Sequence, residues 1–184
     1  MNSMQVEKTN LLNCLVLLPN VFKDKRGYFL ESFNEKKFKE STGLKVNFVQ
    51  DNESFSSKGV LRGLHFQKGA FAQAKLVRVI KGEVLDIAVD IRPKSPTFGE
   101  HFSIVLSEKN KKQLFIPRGF AHGFLVLSDT AIFSYKCDNY YKKSSEGGII
   151  YNDPTLNIDW QFPEEDLIIS EKDKLLPTLN VALL

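Results

Sequence analysis

The sequence predicts an all-β fold, a jelly-roll barrel with a few short helices. Short apolar or alternating runs recur about every ten residues, and turn residues separate them. The strand predicted for 84–91 places Leu85 and Ile87 on one face and Asp86 and Asp90 on the other. A strand with isolated carboxylates on one face suits a barrel whose interior is partly polar. This spacing therefore favours a jelly roll over other all-β architectures.

Each predicted element is an apolar or alternating run that ends at turn residues. The predicted strands are 12–18, 28–33, 46–50, 60–66, 75–80, 84–91, 102–106, 113–116, 123–127 and 131–135. Pro19 and Asn20 stop the first strand, and Gly82 lies in the turn between the strands at 75–80 and 84–91. One helix is predicted for 35–41, with Asn34 as its N-cap. The segment 164–177 is predicted to be helical or irregular and to close the barrel.

Length and composition limit the class of protein. The 184 residues suit a single domain over 1–184. A net charge of +3 is too small for non-specific nucleic-acid binding, which needs a concentrated basic face. No apolar run approaches the ~20 residues that cross a bilayer, and the polar segment 1–10 does not resemble a secretory signal. Cys14 and Cys137 lack disulfide-framework spacing. We expect a cytoplasmic protein with reduced thiols and neither nucleic-acid nor membrane partners.

Two histidines are candidates for chemistry because imidazole titrates near neutral pH. The strand predicted for 60–66 places Leu61, Gly63 and His65 on one face and Arg62 on the other. A glycine in a strand allows another group to approach the backbone closely. His65 is therefore a candidate for catalysis, and the alternative is an ordinary core or surface histidine.

The second candidate, His122, ends a Pro-x-Gly-x-x-His pattern that resembles the second half of the cupin motif. The histidine of that motif often binds a metal. A metal site in such a barrel needs about three ligands from different strands. Gln67 stands where a second histidine of the first half-motif would be, and 68–73 contains no glutamate. We therefore predict no metal, although a metal-dependent cupin enzyme remains an alternative.

Several long motifs occur in a fixed order along the chain. They are 22–31, 48–54, 59–67, 95–99, 116–124, 152–154 and 170–173. In these motifs the chain resembles the dTDP-4-dehydrorhamnose 3,5-epimerase family of the cupin superfamily, over about 12–177. The resemblance implies a cupin-type jelly roll, or double-stranded β-helix. It also implies a cofactor-independent isomerase that converts dTDP-4-dehydro-6-deoxy-D-glucose to dTDP-4-dehydro-L-rhamnose, a precursor for cell-surface polysaccharide.

The resemblance also implies a role for each matching residue. His65 matches the catalytic base and Asp173 the carboxylate paired with it. Tyr135 matches the acid on the opposite side of the sugar ring, and Lys75 the cation beside the keto oxygen. Residues that match ligand contacts are Gln50, Asn52, Arg62, His122, Tyr141, Glu146 and Lys172, of which Tyr141 stacks on the thymine. Arg26 and Glu31 match residues from a second subunit, so the resemblance implies a homodimer whose sites share residues across subunits.

Elementary chemistry agrees with these roles. Loss of a proton next to a ketone gives an enolate, so the enzyme needs a base and must stabilise the new charge. A buried carboxylate would hold the histidine in one tautomer and stabilise its imidazolium. Asp86, on the polar face of its strand, is a further pocket candidate. Two alternatives stay open besides the metal-dependent cupin: an epimerase that inverts one centre of another nucleotide-linked 4-keto sugar, and a non-catalytic nucleotide-sugar-binding module.

Overall fold

The chain forms fourteen β-strands among residues 4–183, which are the residues that the computed structural model describes. The strands are β1 (Gln5–Lys8), β2 (Leu15–Leu18), β3 (Val21–Asp24), β4 (Gly27–Leu30), β5 (Gln50–Ser57), β6 (Val60–Gln67), β7 (Lys75–Lys81), β8 (Glu83–Asp90), β9 (His101–Ser107), β10 (Gln113–Ile116), β11 (Phe120–Val126), β12 (Thr130–Cys137), β13 (Glu146–Gly148) and β14 (Ile168–Ile169). The start of the polar segment 1–10 and the last residue of the chain lie outside the described residues.

The strands build two sheets that share one interior. One sheet has the order β1-β2-β10-β7-β12-β5, and the other β13-β6-β11-β8-β9. Strands β3 and β4 form a separate hairpin, and β14 joins β6 in parallel. The α-helices are α1 (Glu35–Thr42), α2 (Glu171–Lys174) and α3 (Leu179–Ala182), and short 3-10 turns occur at Gly69–Phe71, Lys143–Ser145 and Glu164–Asp166. The predicted all-β fold with a few short helices is confirmed. No helix within 4–183 has the length and apolar character needed to cross a membrane.

Apolar side chains cover both faces of each sheet. Val77, Val84 and Phe133 belong to the cluster between the sheets, to which both sheets contribute. On the outer face of the second sheet, Ile87 packs in a cluster with residues of the C-terminal segment, including Trp160. Helix α1 covers the outer face of the first sheet in the same way. The interior is thus closed from water except where polar side chains line it.

Helix α1 begins and ends as its sequence predicts. The side chain of Asn34 accepts a hydrogen bond from the backbone N–H of Lys37 at 3.1 Å, which caps the first turn. Gly43 ends the helix with a φ of +73°, a conformation that glycine adopts without steric cost. Phe38 on the inner face is buried against Phe115 of β10. The prediction for 35–41 is confirmed with one added residue.

The strand predicted for 46–50 is wrong. Val46 and Phe48 pack beside helix α1 without forming a strand, and the strand starts only at Gln50. Strand β5 lies at the edge of its sheet and pairs with β12. Its inward side chains include Ser54, which lines a cavity, and Ser56, which accepts a hydrogen bond from Arg62. The strand is therefore polar on its inward face. The alternation of apolar residues at 46–50 therefore reflects packing against helix α1, and the strand is the polar segment that follows it.

Strand boundaries also differ from the prediction elsewhere, for example in β11 and β12. Two of the differences concern apolar runs that are longer than their strands. The run 12–18 starts with a turn in which Asn13 has a φ of +68°, so β2 begins only at Leu15. The run 28–33 ends as a strand at Leu30, because Phe33 leaves the hairpin and packs against Phe38 of α1. In both cases an apolar residue outside the strand packs in a core cluster: Cys14 between the sheets and Phe33 beside helix α1.

Candidate active site

A cavity of about 540 Å³ opens between the two sheets and the C-terminal segment 168–173. Seven of the predicted site residues line it: Arg62, His65, Lys75, His122, Tyr135, Lys172 and Asp173. The remaining lining residues are Ser54, Val60, Leu61, Phe124, Phe133, Ile168, Ile169 and Ser170. The fold therefore brings the four residues with predicted catalytic roles to one cavity.

A close approach between β6 and β11 sets the position of His65. A Cβ on Gly63 would lie 2.5 Å from Cα of Gly123 and 2.8 Å from the carbonyl oxygen of His122, so only glycine fits there. The pairing of the two strands shifts register between His122 and Phe124. His65 consequently lies directly opposite His122 across the strand pair.

The register shift also corrects the predicted faces of β6. Simple alternation placed Arg62 on the face opposite His65, but both side chains line the cavity. Leu61 and Leu64 are both buried in the outer cluster with the C-terminal segment. Period-two alternation holds only for a regular strand, and β6 is irregular at Gly63.

His65 and Asp173 form a close pair at the edge of the cavity. The distance from Nε2 of His65 to Oδ1 of Asp173 is 2.7 Å, and the backbone N–H of Gly63 donates to Oδ2 at 3.3 Å. Ser170 caps helix α2, which carries Asp173, by accepting from the backbone N–H of Asp173. Strand β14 attaches this segment to β6. The segment 168–173, called the C-terminal strap below, thus places the carboxylate of Asp173 beside His65, which lies 108 residues earlier in the chain.

The pKa of Asp173 fixes the hydrogen-bond roles in this pair. Burial would raise the pKa of the carboxyl, but hydrogen bonding to His65, the charge of His65 and the Gly63 N–H outweigh burial and lower it. The carboxylate is ionised at neutral pH and only accepts, so Nε2 of His65 carries the proton. In the neutral form of the ring, the lone pair is therefore on Nδ1, which is the nitrogen that can act as a base.

Lys75 and Tyr135 lie together in the cavity wall. Nζ of Lys75 is 5.7 Å from the centroid of the Tyr135 ring. Burial lowers the pKa of Lys75, which makes its ammonium a stronger acid and hydrogen-bond donor. Burial, together with Cys137, raises the pKa of Tyr135, so the phenol keeps its proton at neutral pH. The two groups supply a cation and a proton donor to the same space.

His122 and Asp86 form a second histidine–carboxylate pair, deeper in the interior. Nε2 of His122 lies 2.9 Å from Oδ2 of Asp86, and both side chains are buried. The His122 ring stacks on Phe133 with ring centroids 5.9 Å apart. His122 lines the cavity, whereas Asp86 lies behind it.

A chain of hydrogen bonds joins four predicted ligand contacts to the cavity. Lys172 binds Glu146 at 2.6 Å, and the hydroxyl of Tyr141 donates to the same carboxylate at 3.0 Å. The backbone N–H of Tyr141 donates to Gln50, whose amide donates to Asn52 at 2.9 Å. Glu146, Tyr141, Gln50 and Asn52 do not line the cavity themselves. They are connected to it through Lys172, which does.

Arg26 and Glu31 lie elsewhere in the chain. Arg26 is in the β3–β4 hairpin, bound to Asp24, with 83% of its side chain exposed. Glu31 binds Lys37 of helix α1 at 2.8 Å. Neither residue lines the cavity within the described chain.

Several residues that line the cavity are not among the predicted site residues. Ser54 contributes a buried hydroxyl that has no hydrogen-bond partner among residues 4–183, and Phe124 and Phe133 stack at 4.2 Å in the wall. Ser170 was detectable, because a serine three residues before Asp173 is typical of a helix N-cap. The others belong to ordinary strand patterns and carry no local signal.

The described residues contain no group of three or more His, Cys, Asp or Glu side chains that could hold a metal ion. Each of the two cavity histidines pairs instead with one carboxylate, His65 with Asp173 and His122 with Asp86. Cys14 and Cys137 are buried and free.

Comparison with known proteins identifies the family. The model of the dTDP-4-dehydrorhamnose 3,5-epimerase family matches residues 8–181. The chain belongs to this family. A dTDP-4-dehydrorhamnose 3,5-epimerase from Salmonella typhimurium is 55% identical, with 98% of both chains covered. The family resemblance in the sequence is thereby confirmed.

Solved structures of epimerases extend the likeness to the fold. The crystal structure of dTDP-4-dehydrorhamnose 3,5-epimerase from Elizabethkingia anophelis has a TM-score of 0.94 and 57% identity, covering 97% of this chain and 98% of that one. An epimerase from Legionella pneumophila, solved in complex with dTDP-4-keto-L-rhamnose, has a TM-score of 0.93 and 49% identity, covering 97% and 94%. The predicted cupin-type jelly roll is confirmed.

Proposed function

We propose that this epimerase inverts C3 and C5 of dTDP-4-dehydro-6-deoxy-D-glucose through an enolate and gives dTDP-4-dehydro-L-rhamnose. The observation that carries the proposal is the convergence of His65, Lys75 and Tyr135 on one cavity, with Asp173 bound to His65. A base, a cation and a proton donor are the three groups that inversion next to a ketone requires. The Legionella relative with dTDP-4-keto-L-rhamnose bound supports this class of ligand.

In the first step, His65 removes the proton from C3 or C5. The electrons of the broken C–H bond form a double bond to C4, and the C4 carbonyl becomes an oxyanion. The ammonium of Lys75 stabilises this oxyanion by hydrogen bonding and charge. Asp173 stabilises the imidazolium that forms on His65.

In the second step, Tyr135 donates its phenolic proton to the same carbon from the opposite face of the ring. The oxyanion returns to the ketone and the configuration of that carbon is inverted. The phenolate and the imidazolium return to their starting states when the phenolate takes up a proton from water and the imidazolium releases one. Because the ketone at C4 activates both C3 and C5, the same groups serve both inversions. Neither a nicotinamide nor a flavin takes part in this reaction.

Charged and aromatic groups beside the cavity suit the nucleotide. Arg62 and Lys172 provide cations for the diphosphate, and Arg62 is held by a hydrogen bond from Nε to Ser56 at 3.1 Å. Tyr141 has an exposed ring that can stack on the thymine, and Glu146 fixes its hydroxyl. His122, Gln50 and Asn52 complete the polar contacts in this proposal.

A homodimer accounts for Arg26 and Glu31. The β3–β4 hairpin exposes Phe22 and Phe29 by 64% and 68%, and such large apolar exposure is typical of an interface. In the dimer, Arg26 and Glu31 of each subunit contact the ligand in the site of the other. Sedimentation analysis tests this arrangement: we expect a dimer, and a strictly monomeric protein with full activity would contradict it.

The experiment that tests the function is NMR of the product formed from dTDP-4-dehydro-6-deoxy-D-glucose. We expect a product inverted at both C3 and C5. Inversion of one centre would instead identify a single-centre epimerase, and unchanged substrate would favour a binding module. Metal analysis of protein purified without chelators tests the alternative of a metal-dependent cupin, which stoichiometric iron, manganese or zinc would support.

A further inference from the structure

Asp86 is a buried carboxylate for which the reaction steps above have no use. Its side chain is 0% exposed, and only Oδ2 has a hydrogen-bond partner, Nε2 of His122 at 2.9 Å. Oδ1 is buried and has no hydrogen-bond partner among residues 4–183. A buried carboxylate oxygen without a partner costs free energy, so a compensating contribution is expected nearby.

The strand pattern places Asp86 in the same interior as Lys75. Val84 and Ala88, on either side of Asp86 in β8, point into the cluster between the sheets. Val77 and Val79, on the same face of β7 as Lys75, point into that cluster too. His122, the hydrogen-bond partner of Asp86, and Lys75 line the same cavity. The carboxylate and the ammonium therefore face one low-dielectric space from opposite sheets.

We propose that Asp86 is a positioning residue of this epimerase, whose carboxylate orients His122 and provides the negative charge that keeps Lys75 protonated. Burial lowers the pKa of Lys75, and negative charge on Cys137 and then on Asp86 opposes this effect. Burial raises the pKa of the Cys137 thiol, so the thiol is neutral at neutral pH and the opposing charge that remains is that of Asp86. The inference rests on the role proposed above for Lys75 at the oxyanion.

Other titratable groups also face Lys75. They are Cys137 and Tyr135 of β12, His65 and Arg62 of β6, His122 of β11, and Asp173 and Lys172 of the C-terminal strap. Of the two carboxylates, Asp173 already has Nε2 of His65 and the N–H of Gly63 as partners. Oδ1 of Asp86 has no such partner among residues 4–183 and lies in the same interior as Lys75. We therefore assign the stabilisation of the Lys75 ammonium to Asp86.

The test compares Asp86→Asn with Asp90→Asn. Both residues are 0% exposed on the same face of β8, but Asp90 binds Arg92, Ser95 and Thr97 at the end of the strand. We expect Asp86→Asn to move the alkaline limb of the kcat–pH profile to lower pH by at least about one unit, with a smaller change in KM. Asp90→Asn should leave that limb in place. A wild-type alkaline limb in a folded Asp86→Asn variant would overturn the inference, whereas inactive wild-type protein would overturn the proposed function.

Should Asp86→Asn fail to fold, the wild-type protein offers a second measurement. ¹⁵N NMR of labelled histidine reports which ring nitrogen carries the proton. If ionised Asp86 accepts from His122, Nε2 is protonated at neutral pH. A neutral His122 ring protonated at Nδ1 would mean that Asp86 is itself the donor and uncharged, which would contradict the proposal.

Discussion

Two histidine–carboxylate pairs face each other across strands β6 and β11, and they differ in their access to the cavity. In one, the His65 side chain is 33% exposed and Asp173 6%; in the other, His122 is 7% exposed and Asp86 0%. Both pairs join Nε2 to a carboxylate at hydrogen-bond distance. The chemistry of a pair is therefore not enough to make a base, because the free nitrogen must also reach the substrate.

The origin of each carboxylate explains the difference. Asp86 belongs to β8, whose pairing with β11 buries it inside the barrel together with His122. Asp173 belongs to a strap that lies against the edge of the cavity and is held by β14 and by the Ser170 cap. A carboxylate brought in from outside the sheets leaves its histidine open to the substrate. The pair of His122 and Asp86, which lies within the sheets, is suited to positioning other side chains of the site.

The largest effect is expected from Asp173→Asn. An asparagine can still hydrogen-bond to His65, but it neither stabilises the imidazolium nor selects the tautomer that leaves Nδ1 free. We expect kcat to fall by about 10³-fold. Some stability should also be lost at neutral pH, because the pKa of this buried carboxyl is lowered on folding. Steady-state kinetics beside Asp86→Asn sharpen the comparison, since the change at Asp86 should cost less. A smaller loss at Asp173 than at Asp86 would reverse the assignment of the two pairs.

Removing the cation at the keto oxygen should have the next largest effect. Lys75→Gln is expected to lower kcat by about 10²–10³-fold, as the loss of an oxyanion-stabilising group typically does. The role proposed for Lys75 needs its protonated form, and burial lowers its pKa. Activity of the wild-type enzyme should therefore fall as pH rises, with a midpoint below the ordinary lysine pKa of about 10.4. A kcat–pH profile measures this limb. An alkaline limb at or above pH 10.4 would argue against a lysine at the oxyanion.

A more selective effect is expected from Tyr135→Phe. In the proposed mechanism, proton removal by His65 does not need the phenol, whereas proton delivery to the opposite face does. In D₂O the variant should keep exchange at C3 better than it keeps net product formation, which should fall about 10²-fold. NMR of the sugar protons measures both in one sample. If exchange and product formation were lost equally, the tyrosine would not be an acid specific to one face.

The smallest effect on catalysis is expected from Asp90→Asn, a change in a purely structural carboxylate. Burial opposes ionisation of Asp90, but hydrogen bonds from Arg92, Ser95 and Thr97 outweigh it and lower its pKa to about 2. A pKa lowered on folding stabilises the protein above about pH 4, and this contribution is lost as pH falls towards 2. The variant should lose about 2 kcal/mol of unfolding free energy at neutral pH. Denaturant unfolding at pH 7 and pH 3 measures the loss, and an equal loss at both would contradict the linkage.

The sequence predicted much of the fold because its signals are local. Helix α1 was recognisable from Asn34 before it, and β8 from two faces with different side chains. Strand β5 was not predicted because its inward side chains are polar, among them Ser54 in the cavity wall. The strand therefore lacks the alternation of apolar and polar residues on which the prediction relied. The faces of β6 were assigned incorrectly because the register shift beside Gly63 depends on its partner strand.

The site depended on the family resemblance more than the fold did. His65 and Asp173 are 108 residues apart, and nothing local in the sequence pairs them. The motifs did place both, and the structure shows them in contact. Arg26 and Glu31 are different, because a single chain places them away from the cavity and the roles predicted for them require a second subunit. Those two roles stay predictions.

The most direct test of the difference between the two pairs is deuterium exchange into the substrate in D₂O, measured by NMR for His65→Gln and His122→Gln. We expect His65→Gln to lose exchange at both C3 and C5 by about 10²–10⁴-fold. The loss in His122→Gln should be smaller at both carbons, because His122 contributes a ligand contact and not the base. Exchange at the wild-type rate in His65→Gln, or its loss only in His122→Gln, would contradict the assignment of His65 as the base.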